Sequence, residues 1–89
     1  MNDANKNNGL TTYSVIIWDR FQDYKKNNQY RFESICNIAN TISTLNGIID
    51  LDTSFSALHP PSKITIHISS KYEKTVRSLH CVQELVRWD

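Results

Sequence analysis

The chain has 89 residues and a formal net charge of +1, from ten basic and nine acidic side chains. A polypeptide this short buries only about 60–65% of the surface its unfolded form exposes, so it has room for one domain but not for a doubly wound dinucleotide-binding sheet or an eight-stranded barrel. Near-neutrality excludes a strong overall field for steering toward nucleic acid or an acidic membrane.

Residues 1–10 (MNDANKNNGL) are polar and Asn-rich. They read as a flexible leader with Leu10 as the only anchor, and they lack the apolar core of a signal peptide. The longest apolar run, Val15 to Trp18, falls far short of the roughly 20 residues of a membrane span. No membrane partner and a cytoplasmic location are therefore expected. Residues 11–89 are expected to form a single globular domain.

Tyr13 to Phe21 (YSVIIWDRF) is dense in β-branched and aromatic residues. Tyr13, Val15 and Ile17 alternate with Ile16 and Trp18, which predicts a strand at least partly covered on both faces. Asp23 to Asn28 predicts a turn, with Asn27 or Asn28 capping the next element. From Gln29 to Leu45 the apolar period becomes 3.6, with Phe32, Ile35, Ile38, Ala39, Ile42 and Leu45 in one sector. The other residues of this helix are largely Asn, Ser and Thr, weak helix formers, so tertiary packing must hold it. Asn46-Gly47 supplies a left-handed stop.

Ile48 to Leu51 is either a short strand or apolar packing beyond the helix. Asp52-Thr53-Ser54 caps one turn carrying Phe55 and Leu58, and Pro60-Pro61 ends it. Lys63 to Ser69 alternates cleanly, Ile64, Ile66 and Ile68 inward and Thr65, His67 and Ser69 outward, as a strand with one wet face does. Ser70-Lys71-Tyr72-Glu73 fits a capping box and predicts a helix running to Arg87. Two stripes mark that helix: Tyr72, Val76, Leu79, Val82 and Val86 on one side, Cys81, Leu85 and Trp88 nearly opposite. Either Trp88 folds back over Cys81, or a partner covers the second stripe. The resulting fold class is α+β, βαβα-like, a small two- to three-stranded sheet with two helices packed on one face. Parallel strands joined by a right-handed crossover, and an antiparallel arrangement with a middle strand at 48–51, both satisfy the pattern.

Little in the chain points to chemistry. His59, His67, His80, Cys36 and Cys81 form no CxxC, HExxH or His-x₃-His pair, so neither metal nor cofactor is expected. The cysteines read as free thiols rather than a disulfide. Two glycines cannot cradle a phosphate, and Asp50 and Asp52 suit turn and cap roles better than acid–base work. A thiol mechanism joining Cys81 to His67 is a weak third reading. The chain is not expected to be an enzyme.

The remaining features face outward. Aromatic and arginine side chains dominate interface energetics, which makes Trp18, Arg20, Tyr24, Arg77, Leu85 and Trp88 the candidate protein-binding residues. A free strand edge would add main-chain pairing. The expected function is a small adaptor or inhibitor, homodimeric and of phage or plasmid type, that occludes a surface of a larger macromolecule. The alternative is a nucleic-acid-binding regulator using Arg20, Lys25 and Lys26 in the first turn with Lys71, Lys74 and Arg77 on the last helix. Trp18, Tyr24 and Tyr30 would then be stacking surfaces.

Overall fold

A computed structural model describes residues 9–88, so the expected leader lies outside it except for Gly9 and Leu10. Strand β1 (Thr11–Ile17) is central, flanked antiparallel by β3 (Lys63–Ile68) and β4 (Val82–Arg87). A three-residue strand, β2 (Ile48–Asp50), pairs with the other side of β3, giving the order β2-β3-β1-β4 with every pair antiparallel. Helix α1 (Tyr24–Thr44) joins β1 to β2, and a 3₁₀ turn (Ser70–Tyr72) with helix α2 (Glu73–Arg77) joins β3 to β4. This connectivity is the split βαβ arrangement. Among the described residues the sheet therefore has four strands, not two or three, and its paired neighbours are all antiparallel.

Alternation puts Tyr13, Val15 and Ile17 of β1 and Ile64, Ile66 and Ile68 of β3 on one face, where Ile35, Ile38 and Ile42 of α1 and Val76 of α2 complete the core. The opposite face, set by register, carries Thr12, Ser14 and Ile16, Thr65 and His67, Ile48 and Asp50, and Glu84 and Val86. Trp88 reaches that face too, its indole bonded to Ser14.

Helix α1 begins earlier than the sequence suggests. Asp23 is its cap, accepting from the Lys25 amide at 3.0 Å, and Asn27 and Asn28 are buried within the helix. Their side chains staple neighbouring loops instead of capping: Asn27 Oδ1 accepts from the amides of Arg20 (2.9 Å) and Phe21 (3.2 Å), and Asn28 Nδ2 donates to the Leu58 carbonyl (2.8 Å). The helix ends as expected, with Asn46 at φ 60° and the Gly47 amide on the Ile42 carbonyl.

The expected last helix is the main correction. It stops at Arg77, and residues 82–87 form β4. The capping box is absent: Ser70 opens the 3₁₀ turn, Tyr72 precedes the helix without a side-chain cap bond, and Glu73 binds Tyr13 and Arg77. A bulge hides the strand's alternation. Ile16 faces Glu84 but Ile17 faces Val82, so Gln83 is an extra residue, and buried Val82 and Leu85 stand three apart rather than two.

Candidate interaction surface

Three of the candidate residues gather where β1 runs into α1. Trp18 is 38% exposed and lies under the Arg20 guanidinium, 5.1 Å from the ring centroid. Arg20 is itself held, Nη2 donating to the His80 carbonyl at 3.0 Å. Asp19 accepts from Asn27 and Arg31, and these bonds hold its carboxyl below the usual range. Phe21 stands edge-on to Tyr30, their centroids 5.9 Å apart. Tyr24, 63% exposed, hydrogen-bonds His59 Nδ1 through its hydroxyl at 3.0 Å.

A groove of about 500 Å³ opens between Tyr24, Asn28 and Phe32 of α1 and Ala57, Leu58 and His59, with Lys25 and Gln29 also lining it. The Asn28–Leu58 bond and a stack of Phe32 on Phe55, 6.1 Å between centroids, fix the loop beside the helix. A smaller hollow of about 230 Å³ lies between Phe21, Lys26, Gln29, Tyr30 and Glu33.

The other candidates lie elsewhere. Leu85, expected at an interface, is only 4% exposed and belongs to the core, since the bulge turns it inward. Trp88 pairs with Thr12 at the far end of β1 from Trp18. Arg77 is ion-paired to Glu73 at 2.6 Å, and Lys71 lies 5.1 Å over the Tyr72 ring. The six expected nucleic-acid contacts thus split between two regions, Arg20, Lys25 and Lys26 at the β1–α1 junction and Lys71, Lys74 and Arg77 around α2.

The register also assembles a trio that sequence spacing does not suggest. Thr12 Oγ1 lies 2.9 Å from His67 Nδ1, and His67 Nε2 lies 2.8 Å from Asp50 Oδ2. With Nε2–H donating to the carboxylate, Nδ1 accepts from the threonine hydroxyl. The order hydroxyl, imidazole, carboxylate is that of nucleophile, base and orienting group. Thr12, however, sits on the central strand, whose amides are spent in ladders to both neighbours, so the ladder leaves no adjacent pair of main-chain donors to receive an oxyanion. The trio's evident effect is to tie three strands together. The two cysteines are free; Cys81 is 1% exposed, and burial pushes its thiol up, away from the ionised form a nucleophile needs. It lies in the core while His67 is on the opposite face of the sheet, so the two do not form a thiol–imidazole pair.

Among the described residues no group of three or more His, Cys, Asp or Glu side chains could hold a metal, and no helix is long and apolar enough to cross a membrane. Comparison with protein-family models, curated proteins and solved structures found no match to this chain. Fold and surface together define a split βαβ domain with an aromatic and basic end.

Proposed function

We propose that this chain is a small, homodimeric protein-binding module, an adaptor or inhibitor that occludes a surface of a larger macromolecule through the end bearing Trp18, Arg20 and Tyr24. The supporting observation is the stack of Arg20 on Trp18, with the guanidinium already bonded to the His80 carbonyl. Anchors held before contact lose little side-chain freedom on binding, and Trp, Tyr and Arg are the residues whose burial carries most interface energy. Affinity capture from the native host tests it: wild type and Trp88→Ala should retain one stoichiometric protein, and Trp18→Ala/Arg20→Ala should lose it while circular dichroism stays unchanged. Equal capture by the double variant overturns the reading.

The second reading, nucleic-acid binding, draws on Arg20, Lys25 and Lys26 beside Trp18 and Tyr24. The outward positions of the two central strands are Thr12, Ser14, Ile16, Lys63, Thr65 and His67, with no Phe, Tyr or Trp, so Trp88, reaching that face from the end of β4, stands there without a second ring, which weighs against a base-stacking platform. Binding to single strands that weakens steeply with salt, and whose salt dependence flattens in Lys25→Ala/Lys26→Ala, would favour this reading over the first.

A further inference from the structure

We infer that two copies of this chain dock reciprocally, the Asp50-Leu51-Asp52 segment of each seated in the groove beside α1 of the other. This rests on the homodimer proposed for the binding module and names the surface that makes it.

Both halves of the contact are present on one chain. The groove has an apolar floor, Phe32 backed by Phe55, Ala57, and Leu58, which is 75% exposed. Its polar groups are largely occupied: the Tyr24 hydroxyl by His59, the Asn28 amide by Leu58, and the Gln29 amide by Glu33. An apolar side chain entering there strands few hydrogen-bonding groups. Lys25, which lines the groove, and Lys26, which lines the smaller hollow next to it, have no ion-pair partner among the described residues, and no carboxylate lines the groove. The first turn of α1 contains no acidic residue to offset them, only the cap Asp23 before it. The groove therefore suits an apolar side chain flanked by negative charge.

Leu51 answers that description. It is 40% exposed just beyond β2, with a carboxylate on either side. Asp50 uses Oδ2 toward His67, and Asp52 uses Oδ1 toward the Ser54 amide; each group keeps a second oxygen and remains largely exposed. Leu51 and Leu58 lie on the same connection between β2 and β3, so the donor segment and the receiving groove are neighbours. A two-fold axis beside that connection satisfies both grooves at once and closes the assembly at two copies.

Sedimentation velocity on the full chain, from about 10 to about 500 μM, should show a reversible monomer–dimer equilibrium. Lys25→Glu and Asp52→Lys should each weaken it about tenfold, and the double variant, which exchanges the charges, should recover most of the loss. Leu58→Asp should leave a monomer with an unchanged circular dichroism spectrum. A wild type that stays monomeric throughout, or a dimer indifferent to all three substitutions (as pairing along the free edge of β4 would be), overturns the inference. Failure here is separable from failure of the binding role: a monomeric protein that still captures its target through Trp18 sinks the homodimer and its contact but keeps the adaptor, and a charge-sensitive dimer that captures nothing sinks only the adaptor.

Discussion

The indole of Trp88 donates to Ser14 Oγ over 2.8 Å, and the Trp88 amide donates to the Thr12 carbonyl over 2.9 Å. Together these bonds clamp the end of β4 onto the outer face of the central strand. Trp88→Phe keeps a ring there and removes the donor, leaving the buried Ser14 hydroxyl without it. The expected loss is about 1 kcal/mol of unfolding free energy in urea titration; a variant as stable as wild type would show that the bond contributes nothing net.

Gly47 is required for space. A Cβ there would lie 2.5 Å from Ile68 Cγ2 and 2.6 Å from the His67 carbonyl oxygen. The backbone oxygen cannot rotate away, so helix and sheet must separate. Gly47→Ala should cost about 2–3 kcal/mol, a large share of the stability of so small a domain, and lower the urea midpoint accordingly. An unchanged midpoint would mean that α1 and β3 are packed less closely than described.

The thiols should react in two phases. Cys36 is exposed and Cys81 is buried. With excess aromatic disulfide at neutral pH, one thiol per chain should react at once and the second only as fast as the domain opens. Simultaneous reaction of both would place Cys81 outside the core.

Acid should destabilise the fold in a defined direction. The carboxyl of Asp19 is held low by Asn27 and then by Arg31, and that of Glu73 by Arg77 and then by Tyr13. Each pKa is lower in the folded than in the unfolded chain, so the ionised forms favour folding. Their contribution is complete above the ordinary carboxylate range and is lost as pH falls through the lowered values. Melting temperature should be flat down to about pH 5 and decline below about pH 4. Asp19→Asn/Glu73→Gln should start lower and fall less steeply, and an identical acid slope in that variant would assign the transition to other groups.

Tyr30 has a buried hydroxyl with no hydrogen-bond partner among the described residues. Tyr30→Phe removes it and keeps the edge contact with Phe21. Stability should stay level or rise by up to about 1 kcal/mol, and a loss in urea titration would reveal a bond to that oxygen.

How much of the fold is legible in the sequence depends on how local each signal is. The β1 and β3 alternations and the α1 stripe are read from consecutive residues, and the structure keeps them. β4 is hidden because its bulge breaks the period of two, while Val82 and Val86, four apart, continue the helical spacing of Val76 and Leu79 although they face opposite sides of the sheet. Asn27 and Asn28 resemble caps because asparagine bonds main-chain groups, but their targets lie in loops before and far beyond the helix. Trp18, Arg20 and Tyr24 share one end of the molecule because β1 ends and α1 begins within that stretch. Thr12, Asp50 and His67 meet only through strand register, which no spacing along the chain reveals.

Tyr13 faces Ile66 on one side and Arg87 on the other, so β1 finds its neighbours only after the long stretch that follows it in this domain has been made. Bringing such distant segments together costs loop-closure entropy before any apolar area is gained, which slows folding relative to a helical bundle of the same size. A nascent chain halted before Val82 would hold α1 over a sheet with one side of β1 bare, and that is a form chaperones and proteases recognise.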